Sequence, residues 1–255
     1  MATKSLTLFQ SSIGKKLMMA VSGLFLCTFL VVHLIGNMQL FKDDQGLAFN
    51  HYAKFMTTNP LIKIVSYVNY FLILLHVVTS FRLTQQNKKA RPVGYGVTNL
   101  SANSIWSSRN MGILGTIILV FIVVHMQDFW WKYHNGPVPM QTYWEYYTSD
   151  GDQVSVLNAN EIPAESIATA HQVIYKDLYR EVAEEFKTEI LLVLLYIIAQ
   201  IAIAFHLYHG FSSAFQTLGI NHKRYTPIIK TIGYGFAIII PFLFALMPIY
   251  FHFIK

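Results

Sequence analysis

Four of the ten histidines, His33, His76, His125 and His206, interrupt stretches that are otherwise apolar. An imidazole in such surroundings needs a partner, because an unpaired polar group out of water is costly. A hydrogen bond to a neighbouring helix satisfies one such histidine; four on four separate stretches ask for a shared use. The use that takes histidines two at a time is b-type haem ligation, in which neutral imidazoles from facing helices fill both axial positions of one iron. Zinc is the competing ligand chemistry, but it gathers its ligands in one tetrahedron. Cys27 is the only cysteine. That excludes a disulfide framework, an iron–sulfur cluster ligated by this chain alone, and the C-x-x-C-H of covalent haem.

The elements that carry these histidines read as membrane spans. Of the 255 residues, 54% are hydrophobic and 13% charged, about half the roughly 25% charge of a soluble domain. Five stretches reach the ~20 apolar residues that a helical span requires: 14–39, 61–83, 111–129, 190–218 and 228–253. The first, with Lys15 and Lys16 at its start, is too long for a signal-peptide core and lacks a small-x-small cleavage site, so it reads as a retained span. With the N-terminus inside, the inner segments hold eleven of the nineteen Lys and Arg residues, Lys4 and Arg91 among them, and none of the thirteen Asp and Glu. The positive-inside rule then gives N-in, C-out. This topology accounts for the net charge of +6 without a nucleic-acid partner. The expected fold is an all-α integral membrane bundle of five transmembrane helices, a single membrane domain over 1–255. Its longest connection, 130–189, opens with Trp130, Trp131 and Tyr133. Within it, 167–186 spaces Val173, Ile174, Leu178, Val182 and Phe186 as an amphipathic helix lying on the outer surface would.

Depth then sorts the histidines. His33 lies about 19 residues, roughly 28 Å, along the outward first span, and His125 falls four residues before the outer end of the third. His76 and His206 lie about 7 and 12 residues from the inner ends of the second and fourth spans, roughly 10 and 18 Å. The pairs are therefore His33 with His125 in the outer half and His76 with His206 in the inner half. His209, on nearly the same face as His206, is its rival. Small residues near three of the four ligands would give a macrocycle clearance: Gly36 after His33, Ser80 after His76 and Gly210 after His206, whereas His125 has Asp128 and Phe129 there instead. An internal echo links the first and third spans, with Gly23 ten residues before His33, Gly115 ten before His125, and Val-Val preceding both histidines.

On these residues the chain resembles the diheme cytochrome b membrane anchor of succinate dehydrogenase/fumarate reductase, the type with a single five-helix anchor subunit. The resemblance covers all five spans. It is carried by Gly23 and His33, by His-Val-Val-Thr-Ser-Phe-Arg from His76 to Arg82, by Gly115 and His125, and by His206-Leu-Tyr-His-Gly210 with a later Gly219. It implies two haem b groups, the one nearer the dehydrogenase subunits held by the second and fourth spans and the distal one by the first and third. It also implies a flavoprotein subunit and an iron–sulfur subunit docked on the inner face, a membrane quinone (menaquinone) as electron partner, and the bacterial cytoplasmic membrane as location. The basic inner segments suit an acidic docking surface, although positive-inside topology accounts for them equally well. Some fumarate reductases carry a glutamate two residues before the fourth-span ligand as part of a proton route; here that position is Ala204. The outer connection is also longer than the family leads one to expect.

A quinone slot needs an apolar wall with hydrogen-bonding groups at each carbonyl. Candidates near the outer pair are Asn37, Gln39, His51, Lys54 and Asp128, with Asp128 the first choice for handling protons because a carboxylate at that depth is costly unless used. Ser22, Arg82, Trp106 and Arg109 are candidates at the inner face, where Lys16, Arg82 and Arg109 could also meet haem propionates. Two other functions compete. One is the diheme quinol-reactive cytochrome of another dehydrogenase, such as formate dehydrogenase or hydrogenase. The other is a transporter using histidines as proton relays, for which the fifth-span prolines Pro241 and Pro248 are the one supporting feature.

Overall fold

Residues 11–90 and 104–255 are described by the structure, a computed structural model. Two of the inner cations counted above, Lys4 and Arg91, lie outside these residues. Among those described, five helices are long and apolar enough to cross a membrane, so the chain is an all-α, multi-pass membrane protein. These are α1 (Ser12–Asn37), α3 (Pro60–Lys89), α5 (Met111–His125 with its continuation), α8 (Ile190–Thr217) and α9 (Tyr225–Phe253). Shorter helices are α2 (Leu47–Thr58), α4 (Trp106–Arg109), α6 (Lys132–Asn135) and α7 (Leu178–Thr188).

Local chemistry sets where the helices begin and stop. The Asn59 side chain accepts from the N–H groups of Leu61 (2.9 Å) and Ile62 (3.3 Å), and Pro60 supplies a first-turn φ without an orphaned donor, so α3 starts there. It runs on to Lys89, past the apolar stretch, because Lys88 and Lys89 suit a helix C-terminus. The α8 helix stops in a Schellman motif. Gly219 takes the left-handed conformation (φ +83°), Ile220 N–H donates to the Phe215 carbonyl at 3.0 Å, and Gly219 N–H donates to Gln216 at 3.1 Å. The α9 helix continues unbroken through Pro241 and Pro248.

After His125 the α5 helix widens into a π-helical turn, Met126–Trp131, before α6. A π turn inserts an extra residue per turn and is frequent at functional sites.

By internal contacts the chain divides into two units, one of Met1–Val32, Ile64–Ile122 and Leu194–Leu246, the other of His33–Lys63, Val123–Val193 and Met247–Lys255. The first has helices joined by turns and no strand among its described residues. The second contains the ends of several spans together with a three-stranded antiparallel sheet, β1 (Met140–Tyr147), β2 (Gln153–Val156) and β3 (His171–Lys176), in the order β2-β1-β3. Register pairs Trp144 with Val156 on one side and with Gln172 on the other.

The sheet corrects the amphipathic helix expected over 167–186. Val173 and Ile174 are consecutive residues of a strand and point to opposite faces. The helix begins only at Leu178, where the Asp177 side chain caps the Arg180 N–H at 3.1 Å. Its apolar stripe is Tyr179, Val182 and Phe186, all buried.

The core of the second unit centres on Asn50 of α2, which is fully buried. Its amide nitrogen donates to Asp177 Oδ1 (2.7 Å) and to the Tyr143 hydroxyl (2.9 Å), while its oxygen accepts from Tyr179 N–H (2.9 Å). One carboxamide thus joins α2, β1 and the start of α7. Buried Glu145 makes a second polar node, accepting from the Tyr175 hydroxyl and from Gln153 Nε2.

Candidate functional site

The structure brings the four span histidines together two by two. His33 of α1 meets His125 of α5 with ring centres 5.7 Å apart and planes at 85°. His76 of α3 meets His206 of α8 at 6.3 Å and 60°. His209, three residues further along α8, is half-buried. The first pair lies in the second unit and the second pair in the first.

Each ring is held by its own surroundings. His76 Nδ1 lies 2.9 Å from the hydroxyl of fully buried Ser22, and a Cβ placed on Gly23 would stand 3.4 Å from His76 Cε1. His206 Nδ1 is buried with no hydrogen-bond partner among the described residues. On His33, the Asn37 amide nitrogen donates to the backbone carbonyl at 2.8 Å and sits 3.4 Å from the ring Nδ1. Phe129, buried in the π turn, packs against His125 with centres at 5.7 Å and against Phe186 of α7 at 5.6 Å. The apolar face of α7 therefore backs the His125 ring.

The residues fit a bis-imidazole haem in three respects. Two imidazoles on opposite faces of one iron hold their ring centres about 6 Å apart, from metal–nitrogen bonds of about 2.0 Å and about 1.1 Å more on each side to the ring centre. Plain edge-to-face packing spans the same separations, so chemistry decides more than distance. His206 Nδ1 is buried with no hydrogen-bond partner among the described residues, a cost that coordination at that nitrogen would relieve and plain packing does not. Among the described residues no group of three or more His, Cys, Asp or Glu is gathered as a protein-bound metal ion would need. A pair of imidazoles would suit a metal that arrives with its other ligands, as a haem iron does.

Clearance is distributed differently from the expected pattern. Beside Gly210 and Gly115 a Cβ would meet nothing within 4 Å, so space is open there. Beside Gly36, by contrast, the ring of Tyr52 from α2 occupies the position that a Cβ would take. The glycine one turn beyond His33 thus receives a side chain of the chain itself. Burial raises the Tyr52 phenol above its ordinary pKa, so at neutral pH it keeps its proton as a donor. Sequence reasoning missed Tyr52 because its approach to α1 depends on α2, which the apolar pattern does not announce.

The other candidates scatter. His51 is exposed with its ring edge on Tyr175 (6.0 Å), and the Lys54 ammonium lies 4.1 Å above the same ring. Both serve the sheet rather than the His33–His125 pair. Gln39 lies in the 3₁₀ turn Met38–Phe41, where its carbonyl accepts from Lys42 N–H at 3.2 Å. Asp128 sits in the π turn with Lys132, Glu181 and Glu185 as its charged neighbours. The Lys132 ammonium is engaged by Glu181 (3.2 Å) and Glu185. An open depression of about 470 Å³ lined by Met126, Gln127, Trp130 and Trp131 lies along the same turn. Gln127, an amide among apolar walls there, was also missed, because the π turn that presents it leaves no trace in hydropathy. Lys16, Arg82 and Arg109 are exposed, with Arg109 donating to the Ser104 carbonyl, and Trp106 packs its ring on Phe205 at 5.2 Å. No family model, curated protein or solved structure matches the chain.

Proposed function

We propose that the chain is the diheme cytochrome b membrane anchor of a succinate:quinone oxidoreductase, lying N-in, C-out in a bacterial cytoplasmic membrane. In this reading it conducts electrons between an iron–sulfur subunit, docked with its flavoprotein partner on the basic inner face, and a membrane quinone such as menaquinone. The observation that carries the reading is the meeting of four span histidines as two separate pairs. When bound, a haem b at each pair would supply one-electron transfer. The protein's own part is to present a neutral imidazole nitrogen from each of His33, His125, His76 and His206, and to keep water from them with apolar helices. Quinone reduction consumes protons, and the Asp128 carboxylate in the π turn is the group that passes them from the outer side. Lys132, held by Glu181 and Glu185, keeps a positive charge beside that route. Gln127, in the depression on the same turn, offers an amide to a quinone carbonyl. The single helix α9 runs continuously through Pro241 and Pro248, without the breaks of transporter repeats.

The test is a reduced-minus-oxidised spectrum of the purified chain and of His33→Ala and His76→Ala. The expected result is b-type bands in the parent protein, with each variant losing a different haem. Absence of bands refutes the cytochrome reading. Co-purification of a molybdenum or nickel partner instead of a flavoprotein refutes the succinate assignment in favour of another quinol-reactive cytochrome.

A further inference from the structure

Ser22 stands in the middle of an apolar helix, yet its hydroxyl is fully committed. Its Oγ lies 2.7 Å from the Met18 carbonyl oxygen, 3.2 Å from that of Met19, and 2.9 Å from His76 Nδ1. A carbonyl only accepts, and a serine has one hydrogen to give. That hydrogen goes back along the helix to Met18, the common habit of serine in helices. Toward His76 the oxygen therefore offers a lone pair, and Nδ1 must be the nitrogen that carries the ring's N–H. A neutral imidazole has one such hydrogen, so Nε2 is left as a bare lone pair, the form that binds a metal.

Gly23 lies beside the same edge of the ring. A Cβ there would lie 3.4 Å from Cε1 and 3.9 Å from Nδ1 of His76, ordinary contact distances. The hydroxyl of Ser22 is thus the group that sets the tautomer, with Gly23 as a small neighbour. A quinone contact for Ser22 is unsuited to this arrangement, because its only donor hydrogen is spent.

Resting on the haem reading of the His76–His206 pair, we infer that Ser22 is the positioning residue of the His76 ligand. It selects the Nε2-ligating tautomer and holds the ring. By accepting from Nδ1–H it also makes Nε2 a stronger electron donor, which favours the oxidised metal and holds the inner site's potential down. Partners of this kind around metal-bound histidines are worth about 10- to 100-fold in affinity.

The experiment is a potentiometric titration and a haem-retention assay on the full chain carrying Ser22→Ala, Ser22→Thr or His76→Ala. The His33–His125 haem serves as an internal control for folding. Ser22→Ala is expected to move one midpoint potential upward and to weaken retention of that haem about 10- to 100-fold, leaving the other haem unchanged. Ser22→Thr keeps the hydroxyl at the same place on α1. It is expected to restore both readouts. If Ser22→Ala matches the parent protein in potential and retention while His76→Ala removes a haem, the inference fails and the haem reading stands. If His76→Ala removes no haem, the haem reading fails and takes the inference with it.

Discussion

Replacing Asn50 by alanine tests how the second unit holds together and whether that order reaches the histidine pair. Three hydrogen bonds disappear: one to the Asp177 carboxylate at 2.7 Å, one to the Tyr143 hydroxyl at 2.9 Å, and one from the Tyr179 N–H at 2.9 Å. A bond to a charged group is worth about 1.5–3 kcal/mol, a neutral one about 0.5–1.5, and an orphaned buried N–H costs about 1–3. These contributions overlap, because losing one partner loosens the rest, so a net loss of about 4 kcal/mol is expected. At 1.4 kcal/mol per factor of ten, amide exchange in Met140–Tyr147 and His171–Lys176 should accelerate several-hundred-fold, about 10²–10³. Hydrogen exchange followed by mass spectrometry of the full chain in detergent reads this directly. Tyr52, two residues along α2 from Asn50, should lose its seat over Gly36, so the haem signal lost in His33→Ala should broaden as well. Acceleration of less than about tenfold would refute the reasoning, since it would mean that the carboxamide is not the joint between α2, β1 and α7.

Two further outcomes follow from side chains in the same unit. Gly36→Ala puts a Cβ where the Tyr52 ring lies, so it should destabilise the unit by about 1–3 kcal/mol as an overpacked contact does. Added to Tyr52→Ala the same change should cost almost nothing, and a double-mutant cycle without coupling would dismiss the contact. The phenols of Tyr52, Tyr143 and Tyr175 are all raised above their ordinary value, chiefly by burial. A raised acid keeps its proton longer folded than unfolded, so its contribution is complete below the unfolded pKa of about 10 and declines as pH rises beyond it. Melting of the sheet followed from pH 7 to 11 should therefore be level at first and then fall; a rise above pH 10 would contradict the sign.

The five spans and the proximity of the histidines were legible because both depend on quantities a sequence states outright: runs of apolar residues, and a rise of about 1.5 Å per residue that converts spacing into depth. The ends of the helices were less so. Residues 84–89 are polar, yet α3 includes them, since a helix already nucleated needs no apolar side chains to add a turn. The sheet was hidden by a misplaced period. Val173, Ile174, Leu178, Val182 and Phe186 satisfy a helical spacing as a set, but the first two belong to a strand and the last three to a helix that starts at an aspartate cap. Tyr143, Trp144, Tyr146 and Tyr147 are the residues that could have signalled β1, being aromatics in a run bounded by Pro139 and the Asp150–Gly151 turn.

The glycine and the histidine of the echo on α1 serve different pairs. Gly23 and His33 lie ten residues apart on α1, and ten residues of helix rotate through about 1000°, about 80° short of three whole turns, while rising about 15 Å. A glycine so far along the axis cannot clear space for that histidine. In the structure Gly23 lies against the ring of His76, the partner of His206, while His33 meets His125. The repeat in the sequence therefore belongs to the helix and not to either site: α1 gives a ligand to one pair and a bare stretch of backbone, with Ser22 beside it, to the other. Gly115 and His125 have the same spacing on α5, and a Cβ on Gly115 meets only open space. By the same rotation and rise, the opening at Gly115 cannot be clearance for His125. Gly115 therefore owes nothing to its spacing from His125, and the likeness of the two spans lies in their helical repeat rather than in a shared site.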